Sequence, residues 1–283
     1  MRIGLITPEP GHPLLAAVTS LLTREHVVEV LDPRTDPAPP VAADVYLLKS
    51  RTAPALALAR HLEGRGAAVV NSASATALCQ DRTAMAALAR RAGLPFAATR
   101  TYESFAAWAA GAAGDASAFP AVVKSRQSRR GDLVARVDGP DQVSDLAAGW
   151  AQEPVTVQEF TPNDGWDHKL WAVGDRVFAA LRRSELSPQG RGPTRPLPVD
   201  ELPPGWADLV REVGAVFALD VYGVDVIATG AGSPLIVDVN AFPGIRGQAG
   251  APEALAALAL SRARTPRPPA GPGAGVGAGP GRA

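Results

Sequence analysis

Tyr222-Gly-Val-Asp-Val-Ile227 and Leu235-Ile-Val-Asp-Val-Asn-Ala-Phe-Pro-Gly-Ile-Arg-Gly247 are two largely apolar runs joined by a turn-rich linker, Ala228–Pro234. Such a pair reads as a β-hairpin. Symmetry about residues 231–232 places Asp225 opposite Asp238. Strand side chains alternate with period two, so Asp238 and Asn240 share a face. Asp is depleted in strands, yet both Asps lie inside Val/Ile runs, which marks them as functional. Two carboxylates and one amide oxygen, completed by phosphate oxygens and water, suit Mg²⁺ (or Mn²⁺). Mg²⁺ usually takes one or two carboxylates from a protein.

The N-terminal stretch alternates strand and helix. Residues 2–7, 27–31, 45–48 and 67–70 read as strands, and 14–22 and 54–63 as helices. Pro54 is tolerated in the first helical turn and Gly64 lies just past the end. This order favours a parallel α/β sheet. No GxGxxG follows the first strand, so the dinucleotide fingerprint is missing. Asp32–Pro40, with four prolines, reads as a loop.

Asp81 caps a helix to Ala92, with Met85 and Leu88 on its inner face and Gly93 and Pro95 at its stop. Helices are also expected at 105–111, 141–150, 206–219 and 253–260. Strands are expected at 121–124, 134–137 and 155–160. Residues 169–173 and 177–182 form a hairpin around Gly174-Asp175. A two-residue turn there pairs Lys169 with Ala180, Trp171 with Phe178 and Asp167 with Arg182. Lys169, Trp171, Phe178 and Arg182 then share a face: a cationic site over an apolar floor, or a half-buried sheet with snorkelling cations.

Several polar residues stand where chemistry is expected. Lys124 ends an apolar strand before the polar loop 125–131, placed either to hold a nucleotide phosphate or simply in solvent. Arg126, Arg129 and Arg130 of that loop form a phosphate clamp or a solvated surface; a Walker A loop is missing. At Gln158-Glu159-Phe160 the chain leaves a strand and can offer backbone groups to an adenine edge. Gly244 and Gly247 flank Ile245-Arg246 in a turn that can present N–H groups to an anion, and Arg246 can meet a carboxylate or phosphate. His12, His26, His61 and His168 have no metal-ligand spacing. Only His168, beside Lys169, stands out.

Composition narrows the function classes. Lys+Arg and Asp+Glu are both 28 in 283 residues, so the net charge is zero. Nothing in that balance favours nucleic acid or an anionic membrane as partner. The single Cys79 excludes an internal disulfide and a thiolate metal cluster. No run of about 18 apolar residues is present, and the N-terminus lacks a signal-peptide core, so a cytoplasmic protein is expected. The last segment, 262–283, is low in complexity and is expected to be disordered and dispensable.

Taken in order, these segments resemble the ATP-grasp superfamily across about residues 1–260. Asp81-Arg82 resembles its Asp-Lys/Arg segment, Val122-Val-Lys124 its nucleotide-binding strand and Gln158–Phe160 its adenine hinge. Asp167-His-Lys169 with Val173-Gly-Asp175 is similar to its D-x-K/R…V-G-D hairpin. Asp225, Asp238 and Asn240 match its Mg²⁺ ligands, and Ala241-Phe-Pro-Gly244 its substrate turn. The resemblance implies an α/β (α+β) fold: a small N-terminal domain (1–75), two nucleotide-enclosing subdomains (76–153 and 154–261) and the tail.

ATP and Mg²⁺ are the cofactors it implies, with Arg82, Lys124, Gln158, Glu159, Phe160 and Lys169 at the nucleotide. Lys169, Arg182 and Arg246 would be catalytic, and Lys49, Arg182, Gly244 and Arg246 would hold substrate. Two branches fit. The glutamate-ligase-like branch joins a carboxylate to an amine through an acyl phosphate. The inositol 1,3,4-trisphosphate 5/6-kinase branch phosphorylates a hydroxyl. A neutral chain with few clustered lysines suits a polyphosphate poorly, so a ligase acting on a small amino acid or peptide is expected. A catalytically idle nucleotide-binding protein is the third reading.

Overall fold

The structure is a computed structural model that describes residues 1–35, 42–187, 190, 192–230 and 232–265. Strands β1 (Arg2–Ile6), β2 (Val27–Leu31), β3 (Val45–Leu48) and β4 (Val69–Val70) form a parallel sheet in the order β2-β1-β3-β4. Helix α1 (Pro13–Leu22) packs on one face with Leu14, Leu15 and Val18. Helix α2 (Ala53–Gly64) packs on the other with Ala55, Leu56 and Ala59. Parallel strands need such crossovers, which bury both faces. Gly64 is the last residue of α2 rather than the one past its end, and Gly66 closes the turn that follows: it has φ +84°, and Ala67 N–H bonds back to Leu62 O at 3.0 Å. That closing bond uses Ala67, so β4 begins two residues later than expected.

Helix α3 (Ala73–Leu78), capped by Ser72, was not expected; its six residues are too few to show a period. Helix α4 (Arg82–Arg91) follows, with Asp81 Oδ1 accepting from the N–H groups of Thr83 and Ala84. A four-stranded antiparallel sheet comes next: β5 (Thr99–Tyr102), β6 (Ala121–Ser125), β7 (Val134–Val137) and β8 (Val155–Glu159), in the order β5-β8-β6-β7. Helices α5 (Phe105–Ala112) and α6 (Pro140–Trp150) cover it through Phe105, Trp108 and Leu146. The expected cut at 153–154 does not follow this sheet, because β8 lies inside it, between β5 and β6.

The third sheet has the order β11-β10-β9-β12-β13, built from β9 (Trp166–Val173), β10 (Arg176–Arg183), β11 (Thr194–Leu197), β12 (Val221–Ala228) and β13 (Pro234–Ala241). Both expected hairpin registers hold: Lys169 pairs with Ala180, Asp167 with Arg182, and Asp225 with Asp238. Edge strands β5 and β11 were missed, since their polar faces and Pro196 weaken the strand pattern. Helix α7 (Trp206–Phe217) packs on this sheet with α4, so Met85 and Leu88 share a core with Val213 and Leu170.

Helix α8 (Ala251–Arg264) packs mainly against α1 and the first sheet, through Leu255 and Ala259. The two ends of the chain thereby share one core. The helix also corrects the tail: residues 262–264 are helical, and Arg262 makes a two-atom ion pair with Asp220. The remainder of the expected tail, 266–283, lies outside the described residues. A chain ending at 261 should therefore be less stable than one ending at 265 by about 1 kcal/mol, the scale of a half-exposed ion pair plus a frayed turn. Urea unfolding of the two truncations checks this.

Candidate active site

A cavity of about 810 Å³ opens between the two antiparallel sheets. Arg82, Lys124, Gln158, Glu159, Phe160, Lys169, Arg182, Asp225, Asp238 and Asn240 all line it. Lys49, Gly244 and Arg246 fall outside its lining and gather elsewhere, as described below.

Strand pairing builds one wall. Asp225 faces Asp238 on one side and Lys169 on the other, a row across β13, β12 and β9. Lys169 Nζ lies 2.7 Å from Asp225 Oδ2 and 3.4 Å from Asp167 Oδ2, and Arg182 lies 3.5 Å from Asp167. Two adjacent acids, Asp238 and Asp225, are thus followed by Lys169, which lies between Asp225 and Asp167, with Arg182 beyond Asp167. Beyond Asp225 the register shifts, so Val226 faces Ile236 and Val237 is the extra residue of a bulge. The Val237 carbonyl accepts from Lys124 Nζ at 2.9 Å, linking the end of β6 to β13 across the cavity. Burial pushes the Lys124 ammonium down to about 8, with Arg82 adding to the effect and Asp238 opposing it.

Arg82 joins the same centre. One guanidinium nitrogen donates to Ser125 O and Asp132 Oδ2, both at 2.7 Å, and another stands 3.9 Å from Asp238. Asp132 was not singled out in the sequence, where it is one more polar residue after Gly131. Among the described residues, the buried Nε groups of Arg82 and Arg182 have no hydrogen-bond partner. Buried donors are normally satisfied, and phosphate or carboxylate oxygens in this cavity would satisfy them. The donors for a metal fit Mg²⁺: two carboxylates and an amide oxygen, all hard, on adjacent strand positions.

Other expectations resolve differently. Arg126 pairs with Asp81 at 2.8 Å and Arg129 with Glu153 at 2.6 Å, so these two do not stand ready as a clamp. Trp171 and Phe178 pack into the core shared with α8 rather than flooring the cavity. His168 turns its ring edge onto Trp206, 4.8 Å between centroids, in the opposite direction from Lys169. At the segment expected to border an adenine, the Phe160 N–H already bonds Pro120 O, and Gln158 Nε2 donates to Thr99. The Phe160 ring carries the Arg136 guanidinium 3.9 Å from its centroid. Cys79 is buried, and desolvation raises its thiol far out of the reactive range.

Lys49, Gly244 and Arg246 meet where the first sheet adjoins the turn after β13. Lys49 Nζ lies 5.8 Å from the centre of the Phe242 ring. A Cβ on Gly244 would come within 3.4 Å of His12 Nε2 and 3.6 Å of Arg246. Phe242 and Ile245 have φ of 45° and 41°, a backbone strain held by burial of both side chains. His12 is the residue sequence reasoning passed over. Its only local signal is its place before Pro13, where its Nδ1 caps α1.

Residues 112–254, half of the chain, match the RimK-like ATP-grasp domain. A probable alpha-L-glutamate ligase 2 of Hahella chejuensis is 30% identical over 134 residues, covering 45% of this chain and 44% of that protein. The chain spans less than half of the first curated relatives it matches. The ribosomal protein bS6--L-glutamate ligase of Shigella flexneri is 26% identical over 258 residues, 80% of this chain and 82% of that protein. In three dimensions the chain resembles a RimK domain ATP-grasp protein from Sphaerobacter thermophilus, with TM-score 0.71, 22% identity, and 92% and 100% of the two chains covered. It also resembles the D-cycloserine synthetase DcsG, with TM-score 0.68, 18% identity, and 93% and 100% covered. The chain belongs to the RimK-like ATP-grasp family, and its fold is the ATP-grasp fold. No helix among the described residues is long and apolar enough to cross a membrane.

Proposed function

We propose that this protein is an ATP- and Mg²⁺-dependent ligase that joins a carboxylate to an amine on a small amino acid or peptide, in the cytoplasm. The observation that carries the reading is the row Asp238–Asp225–Lys169 facing Lys124 and Arg82 across one cavity. Acidic oxygens for a metal and cations for phosphates then lie side by side, as phosphoryl transfer requires.

Lys124 and Arg82 bind the phosphate chain, and Gln158 to Phe160 border the base. Bound Mg²⁺, held by Asp225, Asp238 and Asn240, would neutralise charge on the phosphate oxygens. Lys169 offsets charge as the γ-phosphoryl group leaves ADP for the substrate carboxylate oxygen. Arg182 holds that carboxylate. The amine nitrogen then attacks the acyl carbon, phosphate leaves, and the nitrogen gives up a proton. Positioning and fixed charge carry the catalysis, so no protein nucleophile is needed.

The test is ADP release from pooled carboxylates and amines. Release should require both, and hydroxylamine should trap a hydroxamate when the amine is omitted. Release driven by an inositol phosphate alone, without hydroxamate, would instead establish a kinase. Lys124→Met should raise the KM for ATP about tenfold or more, the loss of one charge-assisted contact. An unchanged KM would remove Lys124 from the nucleotide site.

A further inference from the structure

Arg82 stands between two carboxylates and bonds only one of them. Its Nη1 donates to Asp132 Oδ2 at 2.7 Å, whereas its Nη2 stays 3.9 Å from Asp238 Oδ2, beyond hydrogen-bond distance. Both acids line the same cavity and both are largely withdrawn from water.

The chain around Arg82 sets this choice. Arg82 opens α4, and its backbone N–H donates to Arg126 O at 3.0 Å, while the Ser128 N–H donates to Gln80 O at 2.8 Å. The start of α4 therefore lies along the loop between β6 and β7. Arg82 Nη1 also donates to Ser125 O at 2.7 Å, at the last residue of β6. Asp132 stands at the far end of that loop, just after Gly131, whose φ is +73°. The guanidinium thus bridges the two ends of the loop and is drawn to its side of the cavity.

The consequence falls on β13. Asp225 already has an ion-pair partner, Lys169, at 2.7 Å. Asp238 does not. Its Oδ1 accepts from the Val239 N–H at 3.1 Å, and among the described residues the cation nearest its Oδ2 is Arg82 at 3.9 Å.

We propose that Asp132 is a positioning residue for the metal site: it holds the Arg82 guanidinium off Asp238, so that Asp238 keeps an oxygen open to Mg²⁺. The proposal rests on the ligase reading, in which Asp238 binds the metal, and deepens it by naming a residue that keeps that ligand available. A buried guanidinium left without a carboxylate is costly, so it takes the acid within reach. With the Asp132 charge removed, that acid is Asp238. The planar fork has a second nitrogen on the Asp238 side already, and a small rotation would bring it into contact. A metal would then have to break a charge-assisted hydrogen bond to reach its ligand.

The experiment uses the full chain and Mn²⁺ as the probe, with free Mn²⁺ read by electron paramagnetic resonance. Nucleotide is left out, so the part of Arg82 in holding phosphates does not enter. Asp132→Asn keeps the side-chain shape and removes the charge. It should weaken Mn²⁺ binding about tenfold or more, the scale of one charge-assisted hydrogen bond. Adding Arg82→Met to Asp132→Asn should restore binding to near the native value, because the competing cation is gone. Asp164→Asn is the control: Asp164 lines the same cavity but accepts from the Trp166 N–H rather than from Arg82, and its loss should leave binding near native. If Asp132→Asn fails to fold, Asp132→Ala is read in its place. Unchanged Mn²⁺ affinity in Asp132→Asn overturns the proposal. So does a loss that Arg82→Met fails to reverse, which is the mark of a merely structural role. An equal loss in Asp164→Asn also overturns it, since long-range charge alone would then explain the effect. A native chain that binds no Mn²⁺ overturns the reading of Asp225, Asp238 and Asn240 as the metal site, and the proposal with it.

Discussion

Asp238→Asn should cut kcat for ADP release by about 100-fold or more and leave the fold intact. Its side chain is about one-sixth exposed and lines the cavity rather than packing in a core. Its Oδ1 accepts only from the neighbouring Val239 N–H, a bond an amide oxygen can keep. Arg82 retains Asp132 and Ser125 as partners, so no buried charge is stranded. What disappears is half of the carboxylate charge in the proposed metal site. Removing a preorganised electrostatic group from a phosphoryl-transfer site commonly costs about two to three orders of magnitude. Steady-state kinetics with an Mg²⁺ titration, beside a thermal melt, checks both halves. Native kcat with native Mg²⁺ dependence would remove Asp238 from the metal site.

Asn71→Ala should lower stability by about 3 kcal/mol, roughly 6 °C or more in melting temperature for a domain of this size. Asn71 is buried at the end of the first sheet. Its amide donates to Val221 O at 2.6 Å and accepts from the N–H groups of Asp220 and Val221 at 2.8 and 2.9 Å. Alanine would leave buried backbone donors without a partner, which costs more than the hydrogen bonds contribute when made. The Val221 carbonyl also receives the Phe242 N–H, the first residue of the strained turn. A melt unchanged within about a degree would show that Asn71 does not fasten the first sheet to the third.

Much of the site was legible because it is written in short-range periodicity. Period-two alternation and two turns were enough to pair Asp225 with Asp238 and Lys169 with Ala180, and to set Asp238 and Asn240 on one face. Capping chemistry located α4 through Asp81 and Gly93. Polar or very short elements escaped, because β5, β11 and α3 each lack enough apolar residues to show a period. Low complexity beyond Ser261 suggested the chain had left the fold, but Leu255 and Ala259 tie α8 to the first sheet, and Arg262 extends the helix to Asp220.

The sequence by itself determined the strands with clear apolar alternation, the registers of two hairpins and the place of Asp225 and Asp238 within one of them, since these follow from neighbours within a few residues. Only the tertiary structure decided what those residues face. Arg82 meets Asp132 across 50 residues, Lys124 meets the bulge carbonyl of Val237 across 113, and Asn71 meets Val221 across 150. No local pattern encodes such pairs. They exist because three sheets close on one another, and burial then forces each polar group to find whichever partner the packing has brought within reach.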